Sequence, residues 1–184
     1  MNTVQPIRDP QKLEQMKQVL RKRNEKYYMM FVLGINTGLR ISDIRMLNVS
    51  DVYDRDHIII REEKTGKEKR FLINAKLQNE IRAYVKQTGK QPDDYLITSQ
   101  KGNNQPLSRV QAYHVLNEAA QECGIQDKIG THTMRKTFGY WHYKRYHDVA
   151  ILQDIFNHSS PSVTMRYIGI NDDIKDQTLR DFYI

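Results

Sequence analysis

The feature that most limits the fold of this chain is an almost uniformly apolar segment near its N-terminus. From Glu25 the sequence reads EKYYMMFVLGINT, and it then reaches Gly38. A helix that is apolar on nearly all sides has to be enclosed by other elements, and glycine is a common helix stop. We therefore predict a domain built around one central buried helix that ends at Gly38.

Helical periodicity covers most of the remaining chain. Asp9 and Pro10 form a typical N-cap and first-turn pair for a helix that runs to about Arg23, and Ser108 is a typical N-cap for a later helix. After a short helix that follows Gly38, further helices are predicted at Ala75 to Thr88, Ser108 to Cys123, Thr131 to Tyr146, Asp148 to Asn157, Pro161 toward Tyr167, and about Asp172 to Phe182.

Two β-rich runs interrupt the helical pattern. His57–Arg61 and Arg70–Ile73 flank a charged turn that contains Gly66, which predicts a small antiparallel β-hairpin with Lys64 at or near its tip. A further short strand is predicted from Tyr95 to Thr98, within a turn-rich connection. The predicted fold class is mainly α with a small antiparallel β-hairpin, that is, α+β.

Charge and composition limit the classes of function. The chain has 29 lysines and arginines against 22 acidic residues, a net charge of +7, which favours a polyanionic partner but equally fits a merely basic protein. Cys123 is the only cysteine and the histidines form no metal-binding motif, so we expect no disulfide, metal or cofactor. No apolar run approaches the ~18 residues of a membrane helix, so we expect a cytoplasmic protein.

His132 and Arg135 stand three positions apart in the run THTMR, at the start of a predicted helix. On a helix this spacing places both side chains on one face, just beyond the N-terminus. Backbone N–H groups, an imidazole and a guanidinium together suit a phosphate. The alternative is an ordinary surface histidine and a solvated arginine, because so short a motif also occurs by chance.

The spacing of other residues makes the pattern more specific. The string FNHSSPSVTMRYIG, which contains His158 and Tyr167, resembles the tyrosine recombinase and phage integrase family, in which Leu-Gly-His-Ser-Ser precedes Thr-x-x-Tyr. The His132-x-x-Arg135 run is similar to the second box of that family, and Thr37–Ile44 to its first arginine box. Two departures stand out, since Phe156-Asn157 replaces the usual Leu-Gly and Asp43 replaces a common Glu.

The resemblance implies a chemistry of cutting and rejoining duplex DNA. Tyr167 would be the nucleophile, and would leave a 3′-phosphotyrosine and a free 5′-hydroxyl, so that neither ATP nor metal is required. Arg40 and Arg135 would bind the nonbridging oxygens of the phosphate. His132 would assist proton transfer from the tyrosine, and His158 would donate a hydrogen bond to the phosphate.

The resemblance also implies two supporting roles. Lys64 would be the general acid for the departing 5′-oxygen, with Lys67 as the main rival. Without the other boxes, the run EEKTGKEKR is most simply a solvated group of charges. Asp43, one helical turn beyond Arg40, would orient neighbouring groups, unless it is an exposed helix acid.

Double-stranded DNA is the implied partner. Family members place a helix just before the histidine box into DNA, so Arg109 or Gln111 is expected to contact bases, although a solvated helix face fits equally well. Lys136 and Arg166 border the site and are expected to contact phosphates.

Domain organisation and assembly are expected to follow the family in part. Its members usually carry a smaller helical domain ahead of the catalytic one, but here the first arginine box begins at Thr37. We expect residues 1–184 to form a single catalytic domain, in a truncated or naturally short member. The chain should be a monomer in solution and a homotetramer on paired DNA sites. In that tetramer the tail, meaning the segment after Tyr167, would pass to a neighbouring protomer. Docking of the tail on its own domain is the alternative.

Two other functions share the fold and remain open at this point. A type IB topoisomerase uses the same tyrosine chemistry, but that class typically has lysine at the place of His132. A noncatalytic DNA-binding regulator is the second alternative, and the presence of all six catalytic groups argues against it.

Overall fold

Helix α2 (Glu25–Thr37) is the centre of the molecule, as its apolar sequence predicts. In this computed structural model, which describes residues 4–61, 68–180 and 182–183, α2 contacts α1 (Pro10–Arg23), α4 (Ala75–Thr88) and α6 (Thr133–Tyr146). Gly34 allows α6 to approach closely, because a Cβ there would lie 2.7 Å from the Cβ of Met134. The helix ends at Gly38, whose φ of 70° is left-handed.

The other helices confirm most of the predicted boundaries. They are α3 (Ile41–Ile44), α5 (Arg109–Glu122), α7 (Val149–Phe156), α8 (Pro161–Ile168) and α9 (Ile170–Arg180), with a short 3₁₀ turn at Val49–Asp51. Two predicted starts were wrong by two residues. His132 is the N-cap of α6 rather than part of the helix, and α9 begins at Ile170 rather than Asp172 because Ile170 is buried directly after the glycine that ends α8.

The predicted hairpin is confirmed. Strands β1 (His57–Arg61) and β2 (Glu68–Leu72) pair antiparallel, from His57 opposite Leu72 to Arg61 opposite Glu68. The strand predicted from Tyr95 to Thr98 was wrong. Leu96 donates its N–H to the carbonyl of Leu47 at 2.8 Å, whereas the carbonyl of Ile97 accepts from Leu107 at 2.9 Å. Neighbouring residues therefore pair with two different segments, and neither ladder continues.

Two apolar clusters meet along α6. The larger cluster surrounds α2 and includes Met134 near the start of α6. The smaller cluster joins α6 to α7, α8 and α9 and contains Tyr140, Leu152, Phe156, Ile168 and Ile170. The start of α6, where His132 and Arg135 lie, therefore stands at the junction of the two clusters.

Among the described residues, none of the helices has the length and apolar character that a membrane crossing requires.

Candidate active site

Helix α6 begins in a turn that fixes the position of His132. The hydroxyl of Thr133 accepts a hydrogen bond from the N–H of Gly130 at 3.1 Å, and Thr133 itself is buried. This bond anchors the turn, so the exposed imidazole of His132 stands at the helix N-terminus. Partial burial, together with Arg135, Lys136 and Arg40, lowers the pKa of His132.

Arg135 is the most buried charged group of the site, with an exposed fraction of 5%. Its guanidinium donates to the carbonyl of Gly38 and, at 3.1 Å, to the carbonyl of Phe156. Desolvation lowers the pKa of Arg135 to about 10, which leaves the group charged at neutral pH. Two backbone carbonyls, one at the end of α2 and one at the end of α7, hold this cation in place. A guanidinium has five N–H donors, more than these two contacts use, so it can also bind an anion.

Tyr167 lies on α8, a helix with defined ends. The hydroxyl of Ser160 accepts a hydrogen bond from the N–H of Val163 at 3.3 Å, and Gly169 ends the helix with a φ of 79°. The phenol oxygen of Tyr167 is 3.4 Å from Nδ1 of His132. Burial raises the pKa of Tyr167, and the cationic Arg135 and Arg40 oppose that shift.

His158 and Thr164 form a second polar pair beside the tyrosine. Nδ1 of His158 is 3.0 Å from the hydroxyl of Thr164, and the His158 and Tyr167 rings are 5.0 Å apart between centroids. Desolvation and the charges of Arg135, Arg40 and Lys69 lower the pKa of His158. Both effects favour the neutral form of the imidazole, and the hydroxyl of Thr164 orients it.

Arg40 and Asp43 come from the short helix α3, directly after the end of α2. Arg40 is exposed at the N-cap position, and Asp43 is half-buried. Burial raises the pKa of Asp43, whereas Arg40 lowers it by its charge and by a backbone hydrogen bond. The charge of Arg40 also acts on His132, His158 and Tyr167. The arginine motif near the N-terminus and the histidine and tyrosine near the C-terminus therefore lie at one site.

An open cavity of about 970 Å³ is lined in part by Arg40, Asp43 and Arg135, whereas His132, His158 and Tyr167 are not part of its lining. The predicted site residues that line it are Arg40, Asp43, Arg109 and Arg135. Three of these four side chains are cationic, so the cavity suits a phosphate backbone.

The remaining predicted residues have different positions. Gln111 and Arg166 are exposed, on α5 and α8. Lys136 was expected to contact phosphate from the border of the site, but its exposed fraction is 8% and its ammonium lies 5.1 Å from the ring centroid of Tyr167. Lys136 points inward, toward the tyrosine ring, because α6 packs against α8. Lys64 and its rival Lys67 lie outside the described residues.

Sequence reasoning missed two residues of the site. Lys69 of β2 lines the cavity and donates to the carbonyl of Asp154 at 2.8 Å, so it links the hairpin to α7. Phe156 appeared only as a departure from a family pattern, yet its ring touches three predicted catalytic groups. The alternation of side chains along β2 was a usable signal for Lys69, whereas the contacts of Phe156 need the packing of three helices.

Comparison with known proteins decides the family. The family model described as "Phage integrase family" matches residues 9–173. A probable integrase/recombinase YoeC of Bacillus subtilis is 50% identical over 173 residues, which cover 94% of this chain and 93% of that protein. The chain belongs to the phage integrase family, that is, to the tyrosine recombinases.

Solved structures agree with this assignment at the level of the fold. XerH recombinase bound to palindromic difH substrate, in a post-cleavage complex, matches with a TM-score of 0.76 at 18% identity, over 98% of this chain and 54% of that one. A lambda integrase tetramer bound to a Holliday junction matches with a TM-score of 0.70 at 15% identity, over 91% and 49%. The chain spans about half the length of other tyrosine recombinases that it matches.

Proposed function

We propose that this phage integrase family member is a site-specific DNA recombinase in which Tyr167 is the nucleophile. The observation that supports this best is the meeting of Tyr167, His132, Arg135 and Arg40, which lie far apart in the sequence, with the two arginines also lining a cationic cavity. A tyrosine hydroxyl next to a neutral imidazole and two guanidiniums is suited to attack on a phosphodiester.

The proposed reaction balances without a cofactor. The phenol oxygen of Tyr167 forms a bond to phosphorus, the bond from phosphorus to the 5′-oxygen breaks, and His132 accepts the phenol proton. Lys64, outside the described residues, supplies the proton to the departing 5′-oxygen. The 3′-phosphotyrosyl bond retains the energy of the phosphodiester, so attack by a 5′-hydroxyl reverses the step without ATP or metal.

The two arginines are proposed to bind different oxygens of the phosphate. Arg135 is buried and held by two carbonyls, which makes it a fixed donor that needs no reorganisation during the reaction. Arg40 is exposed at the rim, where it can meet the second nonbridging oxygen as DNA enters. Asp43 is half-buried beside Arg40 and limits the directions that Arg40 can take.

Duplex DNA is the proposed substrate, and assembly on it is the proposed active form. Structural relatives of this chain are described as bound to a difH substrate and, as a tetramer, to a Holliday junction. Exposed Arg109, Gln111 and Arg166 are the proposed DNA contacts. The chain is proposed to be monomeric in solution and tetrameric only on paired sites.

Trapping of the covalent intermediate tests this function. The substrate is a nicked duplex whose site has been selected by binding from a random-sequence pool, and the adduct is measured on a denaturing gel in EDTA without ATP. We expect an adduct from the native protein and none from Tyr167→Phe, with DNA affinity unchanged. Tyr183→Phe, at a residue that is 96% exposed, is the control and should form the adduct normally. An adduct that survives in Tyr167→Phe contradicts the proposal.

A further inference from the structure

Phe156 is a fully buried aromatic residue at the last position of α7, and it contacts the candidate active site from the protein interior. The guanidinium carbon of Arg135 lies 4.3 Å from the centroid of its ring. The same ring is 5.3 Å from the His158 ring and 5.5 Å from the Tyr167 ring between centroids, both at steep interplanar angles. One side chain therefore contacts a cation and two rings that come from three different segments.

Each of these contacts has a preferred geometry. A cation is attracted to the face of an aromatic ring, and ring pairs favour tilted or edge-to-face geometry at such distances. The carbonyl of Phe156 also accepts from Arg135 at 3.1 Å, so this residue holds the guanidinium by both its ring and its backbone. Leucine, the usual family residue at this position, would fill much of the space but would supply neither the cation–π attraction nor the preferred ring angles, so the ring adds contacts that the usual residue cannot make.

The surrounding residues leave room for this ring and little more. A Cβ at Gly139 of α6 would stand 2.7 Å from Cε2 of Phe156 and 2.6 Å from Cγ2 of Ile168. Phe138 covers the ring from another side, with centroids 6.1 Å apart. The next residue, Asn157, is left-handed with a φ of 55°, which turns the chain sharply toward His158. The position of the ring is thus fixed by packing on several sides.

We propose that Phe156 is a positioning residue of the active site, whose ring sets the relative placement of Arg135, His158 and Tyr167. This inference rests on the proposed function for its kinetic consequence. Its structural part, the contact of one ring with three groups, does not depend on catalysis. Loss of the ring should leave DNA binding intact and slow the chemical step, because the reacting groups lose their fixed spacing.

The kinetic test compares two Phe→Leu variants in the complete chain. Phe156→Leu removes the ring at the site, and Phe31→Leu removes an equally buried ring from α2, away from the site. The rate of adduct formation is measured in a single turnover at saturating nicked duplex, and DNA affinity is measured by gel shift. We expect Phe156→Leu to lower the rate roughly 10- to 100-fold with affinity changed less than about twofold, and Phe31→Leu to keep the native rate. Should Phe156→Leu fail to fold, Phe156→Met supplies a longer, unbranched side chain that can adapt to the space and still removes the ring.

A spectroscopic test needs neither DNA nor activity. In protein with labelled tyrosine rings, the Tyr167 resonance is assigned by its loss in Tyr167→Phe. Removal of the ring current in Phe156→Leu should move that resonance, whereas Phe31→Leu should leave it in place. A native rate in Phe156→Leu, or equal losses in both variants, overturns the proposal. If the native protein forms no adduct but the resonance moves as expected, the proposed function fails and the ring contact stands.

Discussion

His132 carries two properties that together determine how the reaction should respond to pH. Its pKa lies below the ordinary value because of partial burial and the cations around it, and its Nδ1 lies 3.4 Å from the phenol oxygen. A neutral imidazole can accept a proton, whereas a protonated one cannot. The lowered pKa thus keeps this group in its accepting form at neutral pH.

We predict a pH–rate profile for adduct formation that is flat above the ordinary histidine pKa of ~6.5 and falls on the acid side. The fall should have its midpoint below that value, because the pKa of His132 is lowered. The rate should not rise between pH 7 and 9, because burial raises the pKa of Tyr167 and the nucleophile stays a phenol. Single-turnover rates over pH 5 to 9 provide the measurement.

Assignment of the acid limb needs a variant, because the pKa of His158 is shifted in the same direction and that of Asp43 is raised. His132→Gln should lower the rate and shift or remove the acid limb. His147→Asn is the matched control, since His147 is exposed at the end of α6 with a φ of 54° that asparagine tolerates. An unchanged acid limb in His132→Gln would assign the titration to another group.

At the scale of the element, the end of α2 connects the core to the site. Gly38 is left-handed, its carbonyl accepts from Arg135, and Arg40 follows two residues later. A Cβ at Gly38 would stand 2.5 Å from Cδ1 of Phe138. This helix end thus positions Arg135 through the carbonyl of Gly38. It positions Arg40 through the direction in which the chain leaves the helix.

We predict that Gly38→Ala destabilises the fold more than Gly89→Ala does, although both glycines are left-handed at helix ends. Within the described part of the chain, no atom lies within 4 Å of where a methyl group at Gly89 would stand. Its substitution therefore costs only the strain of a left-handed alanine, about 1–2 kcal/mol. Gly38→Ala adds the collision with Phe138, roughly a further 1–3 kcal/mol. Urea unfolding at constant slope measures both values, and equal losses at the two sites would show that Phe138 moves aside freely.

At the scale of the whole molecule, Arg8, which precedes α1, links the C-terminal end of α8 to the start of α9. Nε of Arg8 lies 2.9 Å from the carboxylate of Asp173, and the same guanidinium donates to the carbonyl of Gly169 at 3.4 Å. Beyond this point the apolar side chains of the tail are outside the core, with Ile174 47% and Leu179 63% exposed. The alternative considered for the tail, docking on its own domain, therefore holds at Ile170 but not at these two residues.

We predict that removal of residues 174–184 spares the active site and weakens assembly. The truncation keeps Asp173 and its ion pair with Arg8, so adduct formation on a single nicked site should stay within about twofold of native. Multimers on paired sites, measured by native gel shift and light scattering, should be lost if the exposed tail face is buried against a neighbouring copy. Unchanged assembly on paired sites would show that the tail is dispensable. Replacement of Leu179 alone by Ser, with the tail retained, separates loss of the apolar contact from loss of length.

Much of this arrangement was predictable because it depends on short-range patterns. The caps at Asp9, Ser108 and Gly38 follow from local hydrogen bonding and backbone preference, and the uniform apolarity of α2 required a central position. The family boxes named the candidate site residues. The strand wrongly predicted at Tyr95 to Thr98 shows the limit of such patterns. A β-rich composition does not specify which other segments will pair with a run of residues.

The sequence by itself determined the helices and the hairpin, because each depends on residues a few positions apart, and its resemblance to a family named the candidate catalytic residues. Only the tertiary structure decided that Lys136 turns inward to Tyr167, that Lys69 reaches α7, and that Phe156 contacts three groups at once. Those contacts join residues from separate elements, and their distances depend on how α6, α7, α8 and the hairpin pack. Packing is set by the shapes of many side chains together, which no local pattern in the sequence encodes.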